Sequence, residues 1–310
     1  MIKQHSKNDS GLKLFDSKSH AEFMRPLIVP PGQKISLAKD YDPDYKAHYL
    51  NKSDSQGDLQ EVVEALKHYQ DMLYAQNTYS LLIIFQAMDA AGKDSTIKHV
   101  MSGINPQGCQ VHNFKAPSTE ELSHDYLWRC SKALPERGKI GIFNRSYYEE
   151  ILITRVHPEI MAQGRLPPSL IDKNLWKQRF EEINNFEKYL VKNGTVILKF
   201  FLNVSKEEQK KRFLERINRP EKNWKFSTND ARERAFWDDY MNVYEDMFNH
   251  TSTEVAPWHI ISADHKWFTR LAVAGTIYAQ LKELNLHYPK VNEEKQQELL
   301  QAKIMLESEV

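Results

Sequence analysis

One stretch, Ser80 to Thr96, constrains the fold of this chain more than any other. An apolar run, Leu81 to Phe85, leads into a loop of small residues that ends in Gly92-Lys93 and continues into a helical pattern. A buried strand, a glycine-containing turn and a helix N-terminus in this order are typical of a phosphate-binding loop. The stretch therefore predicts an α/β domain that binds phosphate.

The loop departs at two positions from the pattern G-x-x-x-x-G-K-[ST]. Ala87 stands where the first glycine is expected, and Asp94 stands where serine or threonine is expected, with Ser95 one place later. The N–H groups of residues 90–93 can still surround phosphate oxygens, and Lys93 adds a positive charge. The departures indicate a phosphate-binding protein that differs from the ordinary ATPases and GTPases.

Asp89 lies inside this loop, where a carboxylate repels phosphate unless a divalent cation or a proton-donating acceptor lies between them. Because Mg²⁺ binds carboxylate and phosphate oxygens together, Asp89 is a candidate to organise the metal or to activate an acceptor phosphate. The alternative is a side chain that only stabilises the loop through an Asx turn. Asp94 has two equally open interpretations, capping the helix against its dipole or organising the metal.

Predicted strands alternate with predicted helices along the whole chain. The strands are expected over residues 81–85, 110–114, 139–143, 195–202 and 258–262. The helices are expected over residues 58–76, 93–102, 118–135, 170–192, 205–219, 231–250, 266–284 and 292–309. This alternation favours a mostly parallel sheet with helices on both faces, while residues 1–20 and 164–168 are expected outside regular structure.

The predicted third strand ends in Asn144-Arg145-Ser146, at the edge where α/β folds place functional loops. Arg145 can bind a phosphate with two parallel hydrogen bonds, or it can form a salt bridge at the sheet edge. Asn144 offers at best a neutral oxygen to a metal. Glu149 and Arg155 follow on a predicted helix, so this segment is a second candidate part of the phosphate site.

A concentration of positive charge follows the fourth predicted strand. It comprises Lys210, Lys211, Arg212, Arg216 and Arg219, followed by Lys222 and Lys225. Taken alone, such a stretch is usually a solvated helix face. Its position late in a phosphate-loop fold favours a lid over about residues 205–235, because lids exclude water from phosphoryl transfer and their cations neutralise developing charge.

The balance of charge argues against some classes of protein. The 310 residues contain 42 Lys and Arg and 42 Asp and Glu, so a dedicated nucleic-acid-binding protein is disfavoured. The two cysteines, Cys109 and Cys130, show no zinc-binding spacing. Because no stretch resembles a signal peptide or a membrane span, we expect a cytoplasmic protein without a membrane partner.

Asn51-Lys52-Ser53-Asp54 matches the N-K-x-D motif with which GTPases recognise guanine. The motif precedes the phosphate loop here, whereas it follows the loop in GTPases. We therefore expect a coincidental match in a loop. A non-catalytic nucleotide switch is disfavoured for the same reason.

Several longer motifs together resemble the polyphosphate kinase 2 family, over about residues 35–286. They are Met88 to Asp94, Gly103 to Gly108, Leu122 to Arg129, Phe143 to Glu149, Lys222 to Ser227 and Ala256 to Trp258. The resemblance implies an α/β, three-layer, phosphate-loop kinase-like fold with a mostly parallel sheet, helices on both faces and a helical lid. We expect an N-terminal extension over residues 1–57, the kinase-like domain over 58–290 and a C-terminal helix over 291–310.

The resemblance implies reversible phosphoryl transfer between inorganic polyphosphate and nucleotides. Asp89 would activate the acceptor or bind Mg²⁺ together with Glu149, with Mn²⁺ as an alternative metal, and Lys93 and Arg145 would contact the transferred group. Nucleotide and phosphate contacts would come from Ala90, Ala91, Gly92, Lys93, Asp94, Ser95, Thr96, Asn144, Glu149 and Arg155. The polyphosphate channel and the lid would present Lys98, Arg212, Arg216, Lys222 and Lys225.

Asn144 stands where many members of that family have Asp. Together with Tyr147-Tyr148-Glu149-Glu150, it resembles the subgroup that accepts nucleoside mono- and diphosphates. The expected partners are therefore AMP and ADP, with GMP and GDP as further acceptors, and a second copy of the chain in a dimer or tetramer. The main alternative is an ATP-dependent nucleoside monophosphate kinase, which has the same fold, and the second is the non-catalytic switch.

Overall fold

A computed structural model describes residues 22–161 and 166–309, and its five strands form one parallel sheet. The strands are β1 (Ser80–Gln86), β2 (Cys109–Asn113), β3 (Ile140–Asn144), β4 (Thr195–Asn203) and β5 (Trp258–Ser262). Their order across the sheet is β2-β3-β1-β4-β5, and every neighbouring pair is parallel. The predicted sheet is confirmed.

β1 is the central strand, and all seven of its residues are buried. A continuous apolar run is what a parallel strand covered on both faces requires. Phe85 of β1 pairs with Asn144 of β3 on one side and with Phe200 of β4 on the other. The chain therefore leaves β1 and β3 at adjacent points on the carboxyl edge of the sheet.

Helices cover the sheet in two layers. Among the described residues, the α-helices of six or more residues are α1 (Lys52–Gln76), α2 (Lys93–Val100), α3 (Glu149–Val156), α4 (Leu175–Lys192), α5 (Lys206–Asn218), α6 (Thr228–Glu233), α7 (Trp237–Thr251), α8 (Lys266–Glu283) and α9 (Glu293–Glu307). α8 packs against α1 and α2, whereas α7 packs against α3 and α4. The three-layer α/β fold is confirmed, with α5 and α6 in the predicted lid region. None of these helices has both the length and the apolar character needed to cross a membrane.

α1 begins at Lys52, ahead of the predicted start at Asp58. Asn51 Oδ1 accepts a hydrogen bond from Ser53 N at 2.9 Å, and Asp54 Oδ2 accepts one from Asn51 N at 3.1 Å. This reciprocal capping box starts the helix in a polar segment that apolar periodicity does not detect. The segment that matches N-K-x-D thus forms a helix N-terminus rather than the predicted loop.

The predicted helix over residues 118–135 is wrong. Its expected capping pair does form, because Glu121 N donates to Ser118 Oγ at 3.2 Å and Ser118 N donates to Glu121 Oε2 at 2.7 Å. Helical turns nevertheless extend only over Glu121–Ser123 and Trp128–Ser131. Asp125 Oδ1 accepts from Leu127 N at 2.9 Å, and such local side-chain bonds compete with helix propagation.

The described part of the N-terminal segment belongs to the core. Phe23, Met24, Leu27 and Val29 are buried, and Val29 N donates to the carbonyl oxygen of Trp258 in β5 at 2.9 Å. The core therefore includes residues on both sides of residue 57, and burial does not separate an N-terminal extension from the kinase-like domain. The predicted loose segment over residues 1–20 and residues 164–165 of the predicted loop lie outside the described residues.

A buried ion pair joins the sheet to the segment after β3. Lys199 Nζ on β4 donates to Glu187 Oε2 on α4 at 2.7 Å and to the Tyr148 hydroxyl at 3.0 Å. Glu187 Oε1 accepts from the hydroxyls of Tyr147 and Tyr148, both at 2.8 Å. Neither charged side chain is exposed to solvent. The network holds the two tyrosines that follow Arg145.

We expect Lys199→Met to lower the free energy of unfolding by about 3–5 kcal/mol, because the buried Glu187 carboxylate then lacks its cation. Adding Glu187→Gln removes the uncompensated charge and should recover a large part of that loss. Urea denaturation followed by circular dichroism measures both variants. If Lys199→Met alone unfolded at the same urea concentration as the wild type, a stabilising role for the pair would be contradicted.

Candidate active site

The loop between β1 and α2 adopts the conformation of a phosphate-binding turn. Gly92 has a φ of 113° and caps α2, a conformation that favours glycine. Ala90 has a φ of 61°, which costs free energy in a residue with a Cβ. Ala87 lies outside the left-handed region, so the glycine expected at its position is not needed. The backbone strain is therefore concentrated at Ala90.

Most of the N–H groups at the start of α2 are available to a ligand. Within residues 22–161 and 166–309, no acceptor contacts the N–H groups of Gly92, Lys93, Asp94 or Ser95. The N–H group of Ala91 donates instead to the Met88 carbonyl oxygen at 3.3 Å. Free N–H groups at a helix N-terminus form an anion-binding site. The geometry thus supports the predicted phosphate cradle, with Ala91 as the exception.

The hydroxyl groups that follow Lys93 serve the packing of α2. Ser95 Oγ accepts a hydrogen bond from Arg270 Nη2 on α8 at 2.9 Å, and Thr96 is 3% exposed. Neither residue lines a cavity beside the loop. The Ser95 hydroxyl, predicted as a phosphate contact, therefore binds α8, and the Thr96 side chain is buried in the packing of α2.

Lys93 folds back over the loop. Its Nζ donates to the Ala87 carbonyl oxygen at 2.9 Å. Burial lowers the pKa of Lys93 to about 8, and the positive charge of Arg145 adds to this effect, while Asp89, Glu149 and Asp94 oppose it. A bound phosphate would favour the charged ammonium form.

Asp89 and Arg145 form an ion pair across the two adjacent loops. Arg145 Nη2 lies 3.0 Å from Asp89 Oδ1, and each side chain is 36% exposed. Arg145 has a φ of 66°, and its N–H group donates to the Phe85 carbonyl oxygen at 3.0 Å. Glu149 and Asp89 raise the pKa of Arg145, whereas burial raises the pKa of Glu149. The structure therefore brings together the predicted Asp89, Lys93, Arg145 and Glu149.

Asn144 is a buried connector between loops. Its Nδ2 donates to Asp94 Oδ1 at 2.8 Å and to Asn113 Oδ1 at 2.7 Å. The side-chain amide thus holds the carboxyl ends of β2 and β3 to the start of α2. Both bonds use Nδ2 and give Asn144 a structural role, whereas a contact of its Oδ1 with phosphate or metal stays a prediction.

Arg155 lies away from the loop. Its Nη1 contacts Asp246 Oδ2 on α7 at 2.5 Å, and its guanidinium lies over the Trp176 ring at 5.6 Å. It lines neither cavity beside the loop. The prediction of Arg155 as a nucleotide contact is therefore wrong, because α3 directs this side chain into the helix layer.

The predicted lid cations differ in their surroundings. Arg216 lies 3.9 Å from Asp230, and Lys222 contacts Glu215 at 2.5 Å. Lys225 is exposed beside the Trp224 ring, and Lys98 is exposed on α2. These four cations remain available near the surface. Arg212 is buried at 4% exposure, so its prediction as an open channel cation is wrong.

Two cavities meet beside the loop. The loop cavity lies between the loop and α5–α7 and is lined by Met88, Asp89, Arg145, Glu149, Gln209, Glu233, Arg234 and Tyr240. The large cavity, of about 670 Å³, is lined by parts of residues 115–129, by the first turns of α3 and by Arg179 and Glu182 of α4. Arg145 and Glu149 belong to both cavities. The loop cavity has a volume of only about 50 Å³, so Arg145 separates a ligand-sized space from a small polar space at the loop.

Sequence reasoning missed the polar residues that α5–α7 contribute to the loop cavity. Gln209 Nε2 donates to the Asp89 carbonyl oxygen at 2.9 Å, and Arg234 Nη1 donates to Gln209 Oε1 at 2.6 Å. Glu233 Oε2 accepts from the Tyr240 hydroxyl at 2.9 Å. No motif marks these residues, since only the folding of the lid region over the loop brings them there.

Asp89 suits a metal site that substrate phosphates help to form, rather than a site formed by protein ligands alone. The described residues contain no group of three or more His, Cys, Asp or Glu side chains placed to hold a metal. Asp89 Oδ1 contacts Arg145, while Oδ2 has no hydrogen-bond partner within the described chain. Mg²⁺ is commonly bound by one or two carboxylates together with substrate phosphates. This donor set suits a metal that arrives with phosphate.

Comparisons with known proteins agree with the fold and identify a family. Residues 49–289 match the polyphosphate kinase 2 family. An ADP-polyphosphate phosphotransferase from Rhodopseudomonas palustris is 50% identical over 284 residues, which cover 90% of this chain and 96% of the relative. An AMP/ADP-polyphosphate phosphotransferase from Meiothermus ruber is 39% identical over 274 residues, with 86% and 96% covered. The crystal structure of polyphosphate kinase 2 from Arthrobacter aurescens TC1 has a TM-score of 0.79 at 39% identity, covering 88% of this chain and 97% of that chain.

The lowered pKa of Lys93 predicts a pH-dependent affinity for phosphate ligands. As the pH rises through about 8, the free protein loses the Lys93 charge, so the affinity for pyrophosphate should fall. Titration calorimetry on both sides of this pH measures the effect. Lys93→Arg keeps its charge in this range and should remove that fall. If the pyrophosphate affinity of Lys93→Arg fell in the same way, the fall could not be caused by loss of the Lys93 charge.

Proposed function

The chain belongs to the polyphosphate kinase 2 family, and on this basis we propose that it transfers a phosphoryl group from inorganic polyphosphate to AMP, ADP or both. One observation carries this proposal. The loop cavity and the large cavity meet at Arg145 and Glu149, directly beside a phosphate-binding loop. Two phosphate-bearing substrates can therefore approach one point from different sides.

The large cavity suits the nucleoside of the acceptor. Its volume of about 670 Å³ lies in the range of small-molecule sites, and Leu122, Tyr126 and Ile153 contribute apolar walls. Arg179 lies over the Tyr126 ring at 4.5 Å, which fixes that wall. The acceptor phosphate would then lie beside Arg145 and the N-terminus of α2.

The chain's own charges would stabilise the transferred group. Enzymatic phosphoryl transfer depends mainly on positioning and on electrostatic stabilisation of the equatorial oxygens. Lys93, Arg145 and the free N–H groups from Gly92 to Ser95 supply positive potential from two sides. Asp89 would hold Mg²⁺, or Mn²⁺ in its place, and a bound metal ion would neutralise charge on the phosphate oxygens.

Polyphosphate would approach from the lid side. Arg216, Lys222 and Lys225 lie on or after α5, and Lys98 lies on the exposed face of α2. Partly exposed cations can exchange their present partners for phosphate oxygens at small cost, because surface ion pairs contribute little free energy. We also infer that the protein accepts GMP and GDP and assembles as a dimer or tetramer in the cytoplasm.

The test is product analysis with AMP, ADP, GMP or GDP in separate incubations with polyphosphate and Mg²⁺. We expect the corresponding di- and triphosphates to form without ATP, since polyphosphate supplies the phosphoryl group. A parallel incubation of AMP with ATP tests the rival donor. Turnover with ATP and none with polyphosphate would instead identify an ATP-dependent nucleoside monophosphate kinase.

Asp89→Asn should lower kcat by about 10²-fold or more, because the variant can neither activate the acceptor nor hold the metal ion as a charged ligand. The fold should remain intact, as the amide occupies the same volume. Asp246→Asn is a matched control, since it removes a carboxylate from the ion pair with Arg155 outside both cavities. Initial rates and thermal unfolding temperatures are measured for both variants. Near-normal turnover by Asp89→Asn would exclude Asp89 from catalysis.

A further inference from the structure

Three consecutive carbonyl groups of the phosphate loop are bound by side chains of α5. Gln209 Nε2 donates to the Asp89 carbonyl oxygen at 2.9 Å. Arg212 Nη1 donates to the carbonyl oxygens of Ala90 at 3.1 Å and Ala91 at 2.7 Å. A helix that follows the loop by more than a hundred residues thus contacts each successive peptide group.

Arg212 has no hydrogen-bonding capacity left for a substrate. Its Nε donates to Glu208 Oε1 at 2.8 Å, and its Nη2 donates to the carbonyl oxygens of Ala263 at 2.6 Å and Asp264 at 3.2 Å. With the two loop carbonyls, these contacts match the five N–H groups of a guanidinium. The residue is 4% exposed and lines neither cavity. The charged guanidinium of Arg212 therefore binds only groups of the protein itself.

The orientation of these carbonyls decides which groups face the ligand. A peptide group is planar and trans, so its C=O and N–H bonds point in opposite directions. Carbonyl groups held toward α5 direct the N–H groups of Ala90 and Gly92 away from α5. If the carbonyls rotated toward the ligand, their negative ends would repel phosphate.

The same contacts offset the strain in the loop. Ala90 has a φ of 61°, a conformation that is unfavourable for a residue with a Cβ. Such conformations persist only where the surrounding structure holds them. The charge-assisted bond from Arg212 to the Ala90 carbonyl supplies this constraint, and Arg212 Nη1 lies against Gly92 on the same side.

We propose that Arg212 and Gln209 are positioning residues that hold the loop in its phosphate-binding orientation. This inference rests on the proposed phosphoryl transfer at the loop and assigns Arg212 a place outside the polyphosphate channel. Gln209 is itself held by Arg234, whose Nη1 also donates to the Lys206 carbonyl oxygen at 3.0 Å. The contacts from α5 thus connect the lid region to the backbone that receives the phosphate.

The Arg212→Lys variant distinguishes a residue that positions the loop from a residue that only supplies positive charge. A lysine keeps the positive charge but lacks the planar fork that reaches several carbonyls, so a channel cation would tolerate this change and a positioning arginine would not. The readouts are titration calorimetry with pyrophosphate and the backbone amide resonances of Ala90 and Gly92 in ¹⁵N-labelled protein. We expect the pyrophosphate affinity and kcat to fall at least about ten-fold, as the loss of charge-assisted hydrogen bonds implies.

The amide resonances distinguish positioning from a general loss of stability. In the wild type, pyrophosphate should shift both resonances, whereas in Arg212→Lys the Gly92 response should be lost while the circular dichroism spectrum stays unchanged. Arg155→Lys is the matched control, because it makes the same change at a partly buried arginine outside both cavities. It should keep the affinity, kcat and both resonance responses.

A second variant covers the case in which Arg212→Lys does not fold. Gln209→Leu keeps Arg212 and the side-chain volume but frees the Asp89 carbonyl, so it should weaken the Ala90 response. A folded Arg212→Lys that keeps the Gly92 response and the pyrophosphate affinity would overturn the role of Arg212, and an unchanged Ala90 response in Gln209→Leu would overturn that of Gln209. A wild type that binds pyrophosphate with both shifts but transfers no phosphate would overturn the proposed function alone.

Discussion

The parallel pairing of β1 with β3 is the interaction on which the candidate site depends. Because Phe85 pairs with Asn144, the chain leaves both strands at the same edge and the same depth. Asp89 and Arg145 can therefore meet at 3.0 Å although they lie 56 positions apart in the sequence. All seven β1 residues are buried, so this pairing lies inside the core with both faces of the strand covered.

The two adjacent loops carry backbone strain that distant contacts hold in place. Ala90 and Arg145 both have positive φ values. The Ala90 carbonyl is bound by Arg212, and the Arg145 N–H group is bound by the Phe85 carbonyl oxygen. Tyr147 and Tyr148 after Arg145 are fixed by the buried Glu187 carboxylate. Strain of this kind is characteristic of binding sites, where it keeps polar groups oriented before the ligand arrives.

The two arginines on α5 show how position decides the function of a side chain. Arg212 and Arg216 lie one turn apart in the same basic stretch, and sequence reasoning treated them alike. Arg212 is buried against the loop and β5, whereas Arg216 reaches Asp230 at 3.9 Å and stays partly exposed. A guanidinium that binds four carbonyls stabilises the loop, while one in an exposed pair remains available to an anionic chain.

Local pattern alone determined the parallel sheet, the phosphate loop and its continuation into α2, because strand burial, turn conformation and helix initiation depend on residues close together in sequence. The grouping of Asp89, Lys93 and Arg145 also followed, since parallel strands end at one edge. Only the tertiary structure decided the partners of Asn144, Arg155 and Arg212 and brought Gln209 to the loop. A long polar side chain has many sterically allowed partners, and the one it binds depends on which distant segments fold against it.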